Sequence, residues 1–180
     1  MFLNEDQMRD ILIQWLKAHG LKTKKSVYVK TFEIDIAAMG EKEINKAGNF
    51  VSHENSLVYA FETKIATTNR LMKDVFEQAL LRLIAVDYVY IVVPEKCEIW
   101  TNGKKKEIFK PAEKLQRWLW GPYSGKLGLI TITSQEKVQV VKKATKSGLT
   151  IQELRNIVVN QITLSSRSSF FKFKKMKKLK

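Results

Sequence analysis

Two charged side chains interrupt an otherwise apolar stretch of this chain. Glu62 and Lys64 stand two positions apart in the segment Leu57 to Ile65, whose other residues are mostly apolar. Side chains two positions apart in a strand lie on the same face of the sheet. An unpaired charge in such surroundings either becomes neutral or requires a counter-ion. The spacing therefore predicts that Glu62 is held by Lys64, by a metal ion or by both.

A second acid lies in the strand predicted before this one. Its alternating pattern places Glu33 and Asp35 on the face opposite Ile34 and Ile36. If the two strands are antiparallel, the carboxylate of Asp35 can approach that of Glu62. Two carboxylates near a lysine offer the hard oxygen ligands that suit Mg²⁺ or Mn²⁺. The simpler alternative is an ion pair between Glu62 and the lysine two positions on, formed on a half-exposed strand.

The elements that must position these groups follow from the hydrophobic pattern. Asn4 is predicted to cap a helix that ends at Ala18, with Glu5 in its first turn, where the helix dipole stabilises a carboxylate. A second helix, ending near residue 85, carries Gln78 on its apolar flank, and an apolar strand follows from Asp87 to Pro94. Strand, helix and strand in this order predict a parallel pair with a right-handed crossover. Ligands in such sheets bind at strand ends, which is where Glu62 stands.

The remaining segments complete a single α/β domain over residues 1–145. The pattern predicts a basic loop over 22–25, strand material over 26–38, a long loop or extended hairpin tip over 39–56, a short strand over 97–100, a helix over 112–120 and a hairpin over 127–141. Thr150 and Glu153 form a capping box for a C-terminal helix within 146–164. Residues 165–180 are predicted to be a basic tail, mobile when free.

The charge of the chain favours a polyanionic partner. Its 32 Lys and Arg against 18 Asp and Glu give a formal net charge of +14. The tail is expected to be a nucleic-acid arm or, with its phenylalanines, a membrane-surface or protein-docking segment. Trp118, Trp120 and Tyr123 either stack on bases or belong to the core or to a partner interface. The residues expected to contact phosphates are Lys22, Lys24, Lys25, Lys104, Lys105, Lys106, Lys172, Lys174 and Lys175.

The composition also excludes several classes of protein. With one cysteine, Cys97, and two histidines, the chain has neither an internal disulfide framework nor an ordinary structural zinc site. No apolar run reaches the length of a membrane span. The N-terminus lacks the basic and apolar regions of a signal peptide. We therefore expect the protein in the reducing cytoplasm.

The order of these elements resembles that of the PD-(D/E)xK nuclease superfamily. The resemblance covers roughly residues 4–94 and is carried by the first helix, Asp35, the triplet Glu62-Thr63-Lys64, the helix with Gln78 and the strand that follows it. Ile34 stands where the name of the motif has proline. The resemblance implies a restriction-endonuclease-like core, with a mixed central sheet flanked by helices in the order α-β-β-β-α-β.

The resemblance also implies roles for individual residues. Asp35 and Glu62 correspond to ligands of Mg²⁺ or Mn²⁺, and Lys64 to the group that orients or activates the attacking water. Glu5 matches an acid on the first helix of some members, and Gln78 matches a helix glutamine of others. Glu33 remains an alternative to Asp35.

The function implied is that of a metal-dependent endonuclease that hydrolyses DNA, directed to branched or junction structures. No GxxxxGK[ST] motif and no separate sequence-reading domain is apparent, which favours a stand-alone nuclease. A homodimer would suit a symmetric branched substrate. Two alternatives stay open: an RNA substrate, and a non-catalytic nucleic-acid-binding or assembly protein that keeps the nuclease fold.

Overall fold

A computed structural model describes residues 4–45, 47–101 and 105–177; for residues 100, 101, 105, 106 and 166–177 it describes the backbone alone. The described residues form four α-helices, eight strands and one short 3-10 helix, Ser124–Lys126. The helices are α1 (Glu5–Ala18), α2 (Asn69–Arg82), α3 (Pro111–Gln116) and α4 (Gln152–Lys177). The strands are β1 (Lys22–Val29), β2 (Phe32–Ile44), β3 (Phe50–Thr63), β4 (Tyr88–Pro94), β5 (Cys97–Thr101), β6 (Lys105–Phe109), β7 (Gly128–Ile132) and β8 (Val138–Lys142).

A mixed six-stranded sheet forms the centre of the protein, in the order β1-β2-β3-β4-β7-β8. Strands β1, β2 and β3 are antiparallel neighbours, whereas β3, β4 and β7 are parallel. Strand β8 returns antiparallel to β7 at the edge, as the hairpin pattern predicts. The predicted α/β class, with a mixed central sheet between helices, is confirmed.

Helix α1 covers one face of this sheet. Asn4 accepts a hydrogen bond from the backbone N–H of Gln7, so the predicted N-cap is present. Met8, Leu12 and Leu16 recur at helical spacing and pack in one core cluster against apolar residues of the central strands. The polar side of the helix is thereby left free to carry Glu5 and its neighbours to the edge of the sheet.

Helices α2, α3 and α4 cover the opposite face. Thr68 caps α2 through a hydrogen bond from the N–H of Leu71, and α2 connects the parallel strands β3 and β4 as the predicted crossover. The core on this side combines apolar residues of the three helices with the inward side chains of the same strands. The centre of the sheet is therefore buried on both faces, which explains why β4 and the second half of β3, from Leu57, are nearly continuous apolar runs.

Several local predictions differ from the structure. Residues 22–25, predicted as a basic loop, belong to β1, and the strand material predicted over 26–38 is divided between β1 and β2. Lys30, with a φ of 50°, lies in the turn between these two strands. Lysines occur in β1 because it is the edge strand of the sheet, where charged side chains can reach solvent.

The segment over 39–56 is the extended hairpin rather than the long loop. Strands β2 and β3 continue into it beyond a register shift between Gly40 and Lys42. Strand β5 pairs with β6 in a separate two-stranded sheet, and the helix expected over 112–120 is shorter, since α3 ends at Gln116. The hydroxyl of Thr150 donates a hydrogen bond to the carbonyl of Val86, which connects the segment before α4 to the segment before β4.

The C-terminal helix is longer than expected. Helix α4 extends to Lys177 and therefore includes most of the segment predicted to be a mobile tail. Its first half packs on the sheet through Leu154, Val158 and Ile162. Within the described parts of the chain, no helix combines the length and the apolar character needed to cross a membrane.

Candidate functional site

The C-terminal end of β3 brings together most of the charged residues that the sequence singles out. Glu62 is the penultimate residue of β3, and Lys64 directly follows the strand. Ile36 of β2 pairs with Phe61, so Asp35 stands beside Glu62 on the neighbouring antiparallel strand. Glu5, in the first turn of α1, reaches the same edge of the sheet. Residues from three separate segments of the chain thus lie at one edge of the sheet, and Asp35, Lys64 and Glu5 form a polar cluster on its α1 side.

Glu62 is paired with an arginine of α2 instead of with Lys64. Its Oε1 lies 2.9 Å from Nε of Arg82, and the side chains are 2% and 6% exposed respectively. Arg82 also donates to the backbone carbonyl of Glu33, and its guanidinium lies 4.7 Å from the ring centre of Phe32. The alternative drawn from the sequence, an ion pair between Glu62 and Lys64, is therefore wrong, because Glu62 pairs with Arg82.

The environment of Glu62 disfavours its charged form. The pKa of Glu62 is raised to about 7, with burial as the largest cause. The nearby charge of Asp35 also raises it, whereas the charge and hydrogen bond of Arg82 and a hydrogen bond from the Asp35 backbone act in the opposite direction. A carboxyl group whose pKa lies near neutrality can take up or release a proton at ordinary pH. Perturbed groups of this kind are enriched in functional sites, although buried ion pairs produce them as well.

Asp35 is held by α1 and by the end of β3. Its Oδ2 accepts hydrogen bonds from the backbone N–H and the hydroxyl of Thr63, at 2.8 Å and 2.9 Å. Its Oδ1 lies 2.9 Å from Nη2 of Arg9. Asp35 therefore contacts the α1 side of the sheet, while Glu62 contacts α2 on the other side.

The strict alternation predicted for β2 is wrong at this point. Ile34 belongs to the core beneath α2, whereas Ile36 belongs to the core beneath α1. Between these two positions, Asp35 stands opposite Ser26 of β1, which has a φ of 53°. A left-handed residue in one strand of a pair disturbs the pleat, and the side chains on either side of it change face.

Lys64 is positioned by α1. Its Nζ lies 3.2 Å from Oε1 of Glu5, and the same carboxylate oxygen accepts a hydrogen bond of 3.2 Å from the N–H of Ile65. Arg9 is also close to Glu5, at 3.8 Å. The first helix thus contributes both an acid and an arginine, and the two control the charge around Lys64 and Asp35.

Gln78 does not join this cluster. It lies on the exposed side of α2, while the buried positions of that helix are Met72, Val75, Ala79 and Arg82. Arg82, one helical turn further on, takes the place next to Glu62 that a helix glutamine would need. Glu33, the alternative to Asp35, accepts a hydrogen bond from Arg82 through its backbone carbonyl.

Sequence reasoning did not identify Arg9 and Arg82 as part of the site. Arg9 stands four residues after Glu5, a spacing at which opposite charges on a helix meet. Arg82 continues the apolar stripe of α2, and a charge on such a stripe indicates a buried partner. Both signals are visible in the sequence, but neither specifies which acid is the partner.

The carboxylates fit a divalent cation by type but are engaged by arginines in this arrangement. Among the described residues, no group of three or more His, Cys, Asp or Glu is placed to hold a metal ion. Mg²⁺ is often bound by only one or two carboxylates, with water and substrate phosphate completing its coordination. Arg9 occupies a cation position between Asp35 and Glu5, so an ion ligated by Asp35 would have to displace it.

The predicted phosphate-binding lysines have different surroundings. Lys22 and Lys24 lie on the edge strand β1, while Lys25 forms ion pairs with Asp10 at 2.8 Å and Asp6 at 3.7 Å. Lys25 is therefore less available to a phosphate than its two neighbours. Lys104 lies outside the described residues, as do the side chains of Lys105, Lys106, Lys172, Lys174 and Lys175.

A polar cavity of about 360 Å³ lies at the opposite end of the sheet, between the middle of β3 and the start of α4. Its buried acid, Asp87, accepts hydrogen bonds from the N–H of Val58 at 2.8 Å and from Nη2 of Arg155 at 2.9 Å. Arg155 also donates to the carbonyl of Ser56. These contacts satisfy Asp87 internally and fasten α4 to the sheet.

Comparison with known proteins identifies a fold without a function. No family model matches the chain, and no curated protein does. Among solved structures, the chain is similar to a protein of unknown function from Silicibacter pomeroyi, with a TM-score of 0.55 and 11% identity, over 97% of this chain and 94% of the other. A likeness at this level of identity concerns the fold alone.

Proposed function

We propose that this protein is a divalent-metal-dependent endonuclease that hydrolyses phosphodiester bonds of DNA, in particular branched or junction DNA. The observation that supports the proposal is the convergence of Asp35, Glu62 and Lys64 at one end of the sheet, beside Glu5 and Arg9. Carboxylates that suit a hard cation and positive groups that suit a phosphate are the two requirements of such a reaction.

The residues of the chain would divide the work as follows. Asp35 would hold the ion, Glu62 would be a second ligand only after parting from Arg82, and Lys64 would place a positive charge beside the attacking water without binding the metal. Arg9, once displaced from Asp35, stays tethered on α1 next to Glu5 and can bind a phosphate oxygen. When bound, Mg²⁺ or Mn²⁺ supplies polarisation of the phosphate and a water of lowered pKa.

The charge of the chain supports nucleic acid as the substrate. The formal charge of +14 gives a field that attracts a polyanion, and the edge-strand residues Lys22 and Lys24 can add phosphate contacts. A homodimer would match the symmetry of a branched substrate. The free cysteine Cys97 agrees with a reducing compartment such as the cytoplasm.

A second function is favoured by a different observation. The pair of Glu62 and Arg82 is buried and complete, which is what a purely structural ion pair looks like. On this alternative the protein binds or assembles nucleic acid without cleaving it. Salt dependence of binding does not distinguish the two functions, because both use contacts to the phosphate backbone.

Cleavage assays decide between these functions. Wild-type protein is incubated with linear, single-stranded and four-way-junction DNA, and with RNA of the same sequence, in Mg²⁺, in Mn²⁺ and in EDTA. We expect metal-dependent cleavage that Asp35→Asn and Lys64→Met reduce by at least a hundredfold, and that Gln78→Ala leaves within twofold because Gln78 is remote from the cluster. Circular dichroism of each variant verifies its fold.

Failure of either part of the proposal has its own signature. If wild-type protein leaves every substrate intact in both metals, the nuclease proposal is abandoned in favour of the binding protein. If it cleaves but Asp35→Asn and Lys64→Met cleave equally well, the site lies elsewhere. Preference for RNA over DNA would correct the substrate and leave the site unchanged.

A further inference from the structure

Three aromatic residues follow α3, and the structure separates their roles. Trp118 packs edge-on against Phe76 of α2, with ring centres 5.6 Å apart, and Leu119 is buried in the same core. Trp120 and Tyr123 instead point to solvent, with 86% and 58% of their surfaces exposed. We call residues 117–126 the aromatic loop.

The aromatic loop is fixed by its own hydrogen bonds. The N–H of Gly121 donates to the hydroxyl of Ser124 at 2.8 Å, and the N–H of Gly125 donates to the carbonyl of Gly121 at 2.7 Å. From β8, Nζ of Lys142 donates to the carbonyls of Gly125 and Leu127, at 2.7 Å and 2.6 Å. The exposure of the two rings is therefore built into an ordered loop, and little ordering remains to be done when a ligand binds.

Several positively charged residues flank these rings in the chain. Arg117 and Lys126 belong to the aromatic loop. Lys110 lies just before α3, and Lys114 lies within it. The acid in this region, Glu113, is engaged by Lys110 at 2.8 Å. Lys114 donates to the side chain of Asn69, the first residue of α2, so this surface adjoins the segment that follows Lys64.

We propose that the aromatic loop is a stacking platform for unpaired bases of nucleic acid, with Trp120 and Tyr123 as the stacking rings and the surrounding cations as phosphate contacts. Aromatic rings within a positive surface are the combination that binds single strands without reading their sequence. The proposal rests on the proposed function for its ligand, and it adds that the protein prefers substrates with unpaired bases. A second protein chain fits this surface less well, because interface cores are depleted of charge, whereas here basic residues flank the rings in the chain.

The test separates stacking from charge. Fluorescence anisotropy measures binding of a labelled 20-nucleotide oligo-dT and of a duplex of equal length, in EDTA to prevent cleavage and at several salt concentrations. Trp120→Ala is expected to weaken binding of oligo-dT about five- to a hundredfold. It should leave duplex binding within about twofold and the salt slope unchanged, because it removes no charge. Trp120→Phe, which keeps a ring, should retain most of the affinity.

Two control variants make the comparison specific. Ile108→Ala removes another exposed apolar side chain, 72% exposed on β6, and should leave both ligands bound as by wild type. Arg117→Ala removes one charge and should weaken both ligands, with a salt slope smaller by about 0.7 to 0.9.

Several results would overturn the inference. Trp120→Ala that binds oligo-dT as wild type does, or that loses oligo-dT and duplex equally, excludes stacking by this ring. Conversion of a wild-type dimer to a monomer by Trp120→Ala in sedimentation, with oligo-dT binding retained, would make the loop a contact between copies of the chain. If wild-type protein binds no nucleic acid, the proposed function fails together with the inference; if it cleaves DNA but Trp120→Ala binds normally, only the inference fails.

Discussion

Removing the positive partner of Glu62 should destabilise the protein in a pH-dependent way. Arg82 lies 2.9 Å from Glu62, and both side chains are almost completely buried. Replacing Arg82 by Met keeps a long side chain at this position but removes its charge, which leaves the carboxylate of Glu62 without its counter-ion. Breaking a buried pair by removing one member typically costs about 3–5 kcal/mol of unfolding free energy. For a domain of this size, the corresponding fall in Tm is about 10 °C.

The pH dependence follows from the pKa of Glu62, which is raised, chiefly by burial, to about 7 in the folded protein from its ordinary value of 4.5. Between these two values the folded state binds more protons than the unfolded state, so the contribution of Glu62 to stability falls as pH rises through this window. Loss of Arg82 raises the pKa of Glu62 further, because the arginine is what favours the charged form. We therefore expect the Arg82→Met variant to lose much more stability at pH 8 than at pH 5.

Urea unfolding followed by circular dichroism at pH 5 and pH 8 measures this effect. The control, Lys73→Met, breaks an exposed pair with Glu77 on the same helix, 3.5 Å apart, and should change the free energy of unfolding by less than about 0.5 kcal/mol. The double variant Glu62→Gln with Arg82→Met should lose the difference between the two pH values. An equal loss at both pH values, or a loss below about 1 kcal/mol at pH 8, would refute the account of Glu62 as a buried carboxylate neutralised by Arg82.

Two further predictions concern the other arginines. Arg9→Gln frees Asp35 from its guanidinium, so the affinity for Mn²⁺, measured by electron paramagnetic resonance, should rise roughly tenfold, the value of a charged hydrogen bond. Asp87→Asn leaves Arg155 without its buried carboxylate, so the free energy of unfolding should fall by about 3 kcal/mol in urea titrations, while cleavage per folded molecule is unchanged.

Each of these two predictions can be contradicted by a specific result. Unchanged or weaker Mn²⁺ binding by Arg9→Gln would mean that Asp35 and Arg9 form a permanent structural pair. Loss of cleavage in folded Asp87→Asn would mean that the far end of the sheet takes part in the reaction.

Local patterns in the sequence were sufficient for much of the fold. The first helix and its cap at Asn4, the crossover through α2, and the hairpin of β7 and β8 depend on hydrophobic periodicity and capping between residues that are close in the chain. Lys22 to Lys25 were misassigned because a strand at the edge of a sheet tolerates charge, which makes its sequence resemble that of a loop.

The partners of the charged residues could not be predicted in the same way. Glu62 was expected to be held by Lys64, by a metal ion or by both, but it pairs with Arg82, while Lys64 pairs with Glu5. Asp35 contacts Arg9 because the pleat of β2 changes at this residue, opposite Ser26. Such pairings depend on which helix covers which face of the sheet, and a change in alternation redirects a side chain without any large signal in the sequence.

Residue types and their spacing are enough to place an acid and a lysine at the end of an apolar strand and a second acid in the strand before it, and to show that the chain is strongly basic. Which positive groups pair with these acids depends on the packing of the helices, because α1 and α2 bring Arg9 and Arg82 to them from opposite faces of the sheet. The tertiary structure also decides that Trp118 packs in the core while Trp120 faces solvent. The physical reason is the same in each case: burial and pairing are properties of the assembled layers, and local sequence specifies which groups are present but not which groups they meet.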